Sequence, residues 1–294
     1  FSTGYRAAVA DGALCVEGDI RDGSLLTRLL ADHDVDTVMH FAASSIVSDS
    51  VKDPLAYFDN NVTGAHSVLK AMVGAGVRRF ILSSTAAVYG HPDVIPITED
   101  MPTRPLNPYG LSKRMIEQML EWYDRAYGLR YVSLRYFNAA GASQQHGEAH
   151  DPETHLIPNI LMAVEGKRDN VRIFGTDYDT PDGTCIRDYI HVDDLADAHL
   201  KAVALLRRAD ESAVLNLGSS IGASVREVVD TVRRVTGRDF QVVYQERRPG
   251  DADRLVAASS LARQRLGWEP RKGDIETIVR DTWLWRQAHP NGYA

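Results

Sequence analysis

An α/β fold built on a parallel sheet is predicted by three features of the sequence. Short apolar runs alternate with longer stretches of helical periodicity, which is the rhythm of βαβ units. One run, Thr37-Val38-Met39-His40-Phe41-Ala42, is almost continuously apolar, as expected of a central strand covered by helices on both faces. Cap and turn residues fall between the runs. Gly74 and Gly76 punctuate the step from a helix into the strand at 79–83, and Asn107 and Pro108 can cap and start the helix that follows.

In chain order the expected strands are 13–16, 37–42, 80–83, 131–136 and 214–217. The helix at 108–126 carries Met115, Ile116, Met119, Leu120 and Tyr123, more apolar surface than one face of a sheet needs, so a homodimer is expected. After Asn138 the texture turns to Gly, Ser, Gln, His, Asp and Pro as far as about Pro158, and the domain boundary is placed there. Ser224-Val225-Arg226-Glu227 is a capping box, and Val228, Val229, Val232 and Val235 follow it at helical spacing. Arg247-Arg248-Pro249-Gly250-Asp251 then interrupts the pattern before 261–266 and a terminal helix around 275–285.

Bulk composition narrows the function. The 294 residues are enough for one large α/β unit or for two domains sharing a cleft. With 33 basic and 40 acidic residues the formal charge is −7, which disfavours nucleic acid as a partner. No apolar run approaches the roughly 20 residues that span a bilayer, so no membrane association is expected. Cys15 and Cys185 are the only cysteines, which suggests neither a disulfide framework nor a thiolate zinc site and fits a reducing, cytoplasmic setting. The chain opens Phe1-Ser2-Thr3-Gly4 with no initiator Met and no signal-peptide pattern, as a processed or fragmentary start would.

Tyr109-Gly110-Leu111-Ser112-Lys113 puts a phenol and an ammonium four residues apart, on one face of the helix starting at Pro108. A phenol with an ordinary pKa near 10 is a weak base at neutral pH, and a neighbouring cation favours phenolate, so Lys113 is expected to lower Tyr109. Upstream, Ser83-Ser84-Thr85-Ala86-Ala87-Val88-Tyr89-Gly90 places small hydroxyl residues at the end of a strand, where open α/β sheets bind ligands. Thr85 is a candidate to hydrogen-bond a substrate hydroxyl.

With these residues in place the chain resembles the extended short-chain dehydrogenase/reductase family, in its sugar-nucleotide branch. Further landmarks are Val16-Glu17-Gly18-Asp19-Ile20-Arg21-Asp22, His40-Phe41-Ala42-Ala43, Tyr57-Phe58-Asp59-Asn60-Asn61-Val62, Leu134-Arg135-Tyr136-Phe137-Asn138, and Asp182-Gly183-Thr184-Cys185-Ile186-Arg187-Asp188-Tyr189-Ile190-His191-Val192. The resemblance implies a Rossmann-like, doubly wound sheet that binds NAD over residues 1–138, with 186–200 returning to it and 139–294 mainly a smaller substrate-binding domain. It implies that Asp19 and Ile20 flank the adenine, that Phe41, Ala42, Ala43 and Ser45 line the middle of the cofactor, and that Asn60, Thr85 and Phe137, with Tyr109 and Lys113, complete the nicotinamide side. Ser45 falls where the family pattern can carry Lys, so a charged contact is absent there.

For a UDP-sugar substrate the resemblance points to Thr85, Asn138, Leu156, Phe174, Arg187, Arg248 and Asp251. The chemistry agrees for the arginines, because a guanidinium matches diphosphate oxygens in a bidentate fork. The activity implied is NAD-dependent inversion at C4 of a UDP-hexose through a 4-keto sugar, with Tyr109 as base. His155, where some members carry Asn, and Leu255, where the family adjusts pocket size, leave UDP-N-acetylhexosamines and UDP-pentoses open as substrates. A dehydratase would place an acidic pair where Ala86 and Ala87 stand, and a nucleotide-sugar-binding protein without cofactor is the non-enzymatic alternative.

No Gly-x-x-Gly-x-x-Gly or Gly-x-Gly-x-x-Gly follows a strand. The resemblance implies that roughly 40 residues holding the first strand, the Gly-rich turn and the first helix precede Phe1 in a complete member, and that a chain beginning at Phe1 binds NAD weakly. Between His146 and His155 six potential metal ligands fall within ten residues. They lack the His-Glu-x-x-His spacing, so a polar loop over the substrate and no metal is the expectation.

Overall fold

The computed structural model describes every residue except Ser2, Pro249 and Ala294; of the Arg247-to-Asp251 landmark, Pro249 therefore lies outside the described residues. Along the chain run α1 (Gly23–Asp32), β1 (Thr37–His40), α2 (Val47–Lys52), α3 (Pro54–Tyr57), a π-helical turn (Phe58–Thr63), α4 (Gly64–Ala75) and β2 (Arg79–Thr85). Next come α5 (Pro108–Tyr127), β3 (Arg130–Tyr136), β4 (Asn138–Ala140), α6 (Leu156–Val164), β5 (Val171–Phe174), β6 (Ile186–Arg187), β7 (Tyr189–His191) and α7 (Val192–Ala209). The last third holds β8 (Ala213–Leu217), β9 (Ala223–Ser224), α8 (Val225–Thr236), β10 (Val242–Gln245), β11 (Arg254–Leu255), α9 (Ser260–Leu266) and α10 (Ile275–Ala288).

The main sheet is parallel throughout, in the order β1-β2-β3-β8. Its interior residues Ile81, Leu82, Val132, Leu134, Leu215 and Leu217 are wholly buried, each stabilising the fold by about 1.5–3 kcal/mol relative to exposure. Helices α4 and α5 close one face around Leu69, Met72, Phe80, Ile116 and Leu120. Helices α7 and α9 close the other around Ala198, Ala202, Leu205 and Ala262. This is the parallel α/β sheet that the strand rhythm predicts, in the doubly wound, Rossmann-like layering that the family resemblance implies. A separate core joins α6, β5, α8 and α10 through Ile160, Leu161, Ile173, Val228, Val232, Ile278 and Val279.

Local chemistry sets the helix ends. The Asn107 side chain accepts from the Gly110 amide at 2.8 Å to cap α5, and Gly128, left-handed at φ 64°, ends it. Ser224 and Glu227 form the reciprocal capping box that starts α8.

Two expectations fail. Residues 13–16 form no strand and pair with none among the described residues, and Leu14 and Val16 are exposed. An apolar run makes a strand only when a neighbour supplies the ladder hydrogen bonds, and none reaches this one. For the same reason β1 is, among the described residues, an edge strand and not a central one: its single partner there is β2, and Met39 lies partly open to solvent.

Candidate active site

The carboxyl ends of β2 and β3 and the first turns of α5 open into a cavity of about 1770 Å³, bounded opposite the sheet by residues of β5, β6, α6 and the segment before β11. Thr85, Tyr109 and Lys113 line it together with Phe41, Ala43, Ser45 and Phe137. So do Asn138, Leu156, Phe174, Arg187, Arg248 and Asp251. Residues from the two halves of the sequence thus share one space, large enough for more than one drug-sized ligand.

Gly110 permits the close approach of α5 to the turn after β2. A Cβ there would stand 2.5 Å from the Ala87 carbonyl oxygen, so a larger residue would push Tyr109 away from Thr85. Thr85 ends β2, is 8% exposed, and accepts from the Ala87 amide at 3.1 Å. Lys113 is 2% exposed, and its ammonium donates to the Ser83 carbonyl oxygen at 2.8 Å. Burial pushes the lysine down to about 8, with the Glu117 carboxylate pulling the other way.

The electrostatics of Tyr109 reverse the sequence expectation. Burial pushes its phenol up to about 12, and the Thr85 hydroxyl only partly offsets this. Lys113 lies on the expected helix face but points its charge at Ser83, so desolvation wins over the cation at Tyr109. His40, at the end of β1, is held neutral, pushed down to about 4 chiefly by burial and secondarily by Lys113.

Beneath this pair lies a buried polar network to which the sequence reading gives no role. Arg135 makes a two-pronged ion pair with Glu117, Nε at 2.9 Å and Nη2 at 2.7 Å, and Glu117 also accepts from Ser84 at 2.7 Å. Arg135 donates to the Tyr89 hydroxyl at 2.8 Å, Tyr89 donates to Asn216 at 2.7 Å, and the Asn216 amide reaches the Glu99 carboxylate at 2.7 Å. The one signal available in sequence is Glu117 four residues after Lys113, on the same helix face. Asp188 is a second such case: wholly buried, it accepts from the backbone amides of Ser219, Ser220 and Ala257. Gly218 leaves room for it, since a Cβ there would meet the carboxylate at 2.4 Å.

Across the cavity Arg187 holds Asp251 at 3.0 Å and the carbonyl oxygens of Ile186 and Ala252 at 2.8 Å. Arg248 stacks over the Phe174 ring, its guanidinium carbon 3.9 Å from the centroid. Asn138 donates to the Asp188 carbonyl oxygen at 3.0 Å, and Leu156 packs on the α6–α8–α10 core.

Four of the residues expected at the cofactor lie outside the cavity lining. Asp19 is exposed and paired with Arg21, whose guanidinium holds its carboxyl down at about 2. Ile20 packs against Gly64 under the α4 face, Ala42 is exposed, and Asn60 donates to Ser44 and Asn61 on the π-helical turn. Asn61 is the buried member of that pair, binding the Ser44 backbone at 2.7 and 3.0 Å and the Ser112 hydroxyl at 3.0 Å.

The groups present fit the nicotinamide end of NAD. Lys113 uses one of three ammonium donors on Ser83, leaving donors for ribose hydroxyls in a cavity that Tyr109 and Tyr136 also line. Phe41, 54% exposed, offers an aromatic face steadied on His199 at 4.7 Å between ring centroids.

A Rossmann-like sheet whose strand ends carry a Tyr-Lys helix and a capped Thr, facing arginines across one cavity, defines an NAD-linked enzyme of the nucleotide-sugar type. The chain matches the NAD dependent epimerase/dehydratase family over residues 2–218, and it belongs to that family. It is 49% identical to the UDP-glucose 4-epimerase of Streptococcus mutans over 294 residues, covering 99% of this chain and 88% of the relative. Among solved structures it is similar to the UDP-glucose 4-epimerase of Brucella ovis in complex with NAD, at 47% identity and a TM-score of 0.93 over 96% of this chain and 87% of that one. It is also similar to the Bifidobacterium longum enzyme in complex with NAD+ and UDP, at 38% identity and a TM-score of 0.88 over 94% and 84%. No helix among the described residues is long and apolar enough to cross a membrane.

Proposed function

We propose that this chain is an NAD-dependent isomerase that interconverts UDP-glucose and UDP-galactose by inverting C4 of the hexose. The observation that carries the reading is the single cavity in which Thr85, Tyr109 and Lys113 face Arg187, Arg248 and Asp251. Its close likeness to UDP-glucose 4-epimerases supports the choice of sugar nucleotide.

NAD, when bound, supplies the oxidant that removes hydrogen from C4 and returns it. Tyr109 exchanges the proton of the C4 hydroxyl, accepting it as the 4-keto sugar forms and giving it back after the sugar has turned. Acceptance needs the phenolate form, which the Thr85 hydroxyl favours against the burial that pushes the phenol up to about 12. Thr85 orients the sugar hydroxyl, and Lys113 supplies ribose hydrogen bonds. Arg187 and Arg248 grip the diphosphate, which places much of the binding energy away from the reacting carbon and lets the sugar present either face. Asn138, Leu156 and Phe174 border the same chamber.

The main sheet with its covering helices serves as the cofactor unit, and the α6–β5–α8–α10 core with β6 and β11 as the substrate unit. Helix α5 exposes Leu111, Met115 and Trp122, a surface suited to pairing two copies, so the enzyme works as a homodimer, and the free Cys15 and Cys185 suit the reducing cytoplasm. The test is Tyr109→Phe. Epimerisation should fall about 1000-fold, near the middle of the range for loss of a general acid–base group. UDP-sugar affinity, followed by calorimetry, should hold. Wild-type turnover in that variant would remove Tyr109 from the chemistry.

A further inference from the structure

We infer that Glu148, His150 and His155 form a binding site for one divalent transition-metal ion of the zinc class, on the wall of the substrate cavity. The sequence spacing conceals it, because the ligands lie on a loop and at the start of α6 instead of one turn apart on a helix. The fold brings them together: each offers a ligating atom within 4.8 Å of the other two. All three line the cavity, so the site is open to ions from solution. Glu148 already holds His150 Nδ1 at 2.7 Å, and around zinc at about 2.0–2.2 Å the ligand atoms stand about 3.3 Å apart, so the ion replaces that hydrogen bond and draws His155 closer by side-chain rotation.

The site has an outer shell. Glu153, 9% exposed, accepts from the Thr154 and His155 amides at 2.7 Å and holds His155 Nδ1 at 2.8 Å. A carboxylate on one ring nitrogen fixes the imidazole and makes the other a better ligand, an arrangement typical of metal-binding histidines. The backbone beneath Glu148 is anchored as well. The Gly147 amide donates to the Tyr293 hydroxyl at 3.0 Å, its carbonyl accepts from the same hydroxyl at 3.1 Å, and a Cβ at Gly147 would stand 2.2 Å from Trp285. Two imidazoles and one carboxylate select zinc, cobalt or nickel over magnesium or calcium, which prefer all-oxygen shells. Three protein ligands leave a fourth position for water or an anionic oxygen in the cavity.

Full-length protein stripped with chelator and dialysed should bind one equivalent of Zn2+ per chain by calorimetry and by elemental analysis after gel filtration. Co2+ should give visible absorption bands of a four-coordinate site. His150→Ala and His155→Ala should each weaken binding at least tenfold, and Glu153→Gln about tenfold, with unchanged far-ultraviolet circular dichroism. His33→Ala, an exposed histidine elsewhere, should bind as wild type. Absence of a stoichiometric ion in the wild type, or wild-type affinity in the His150→Ala/His155→Ala double variant, would overturn the assignment.

Discussion

On the sheet side of the cavity, Thr85 and Lys113 sit on β2 and α5 and are almost wholly buried, whereas on the far side Arg248 and Asp251 belong to the irregular segment between β10 and β11. The first wall is backed by the Glu117–Arg135–Tyr89–Asn216 network, in which each polar group has a partner. The second is held by local pairs, Arg187 with Asp251 and Arg248 on Phe174. Groups that move protons need fixed positions, and regular elements provide them; groups that grip a diphosphate while a sugar turns tolerate a looser mount.

Breaking the support of the rigid wall should have the largest effect after loss of Tyr109 itself. Glu117 is wholly buried, and its removal leaves Arg135 and the nearby Lys113 as cations without a counter-charge. Glu117→Gln should cost about 3–5 kcal/mol in urea unfolding, the usual penalty for breaking one side of a buried pair. A loss under about 1 kcal/mol would mean that the network is not what holds this wall.

A smaller and different effect is expected on the loop side. Arg187→Ala removes a charged hydrogen-bonding group worth about 1.5–3 kcal/mol, so KM for the UDP-sugar should rise roughly 10- to 100-fold while kcat changes little. Urea unfolding should lose less than in Glu117→Gln, because the Asp251 carboxylate left behind is partly open to water. If kcat collapses instead, Arg187 serves the reacting carbon and the division between the walls fails.

The same division decides what could be read from sequence. The strands at 79–85, 130–136 and 213–217 and the capped helix α5 are legible because apolar periodicity and cap chemistry are local properties. The failure at 13–16 and the edge position of β1 arise because strand pairing depends on neighbours distant in sequence. The direction of the Lys113 ammonium is likewise illegible: helix spacing gives the face, but the Ser83 carbonyl that captures the charge lies 30 residues away. The Glu148, His150 and His155 cluster is hidden for a similar reason, since a loop folds ligands together at spacings that no motif describes.

The least of the expected effects tests that buried ammonium directly. Lys113 is pushed down to about 8 in the fold, against the ordinary value of 10.5, so between those values the unfolded chain binds more protons than the folded one. Stability contributed by this site must therefore rise with pH, by up to about 1.4 kcal/mol per unit. The usable window is pH 8 to 10, because Tyr109, pushed up to about 12, begins to act with the opposite sign above the ordinary tyrosine value of 10.0. Urea unfolding of the wild type minus that of Lys113→Met should give a positive slope across the window. A flat difference would mean that the ammonium is solvated in the folded protein, and that the sheet-side wall is wetter, and closer in character to the loop side, than its burial indicates.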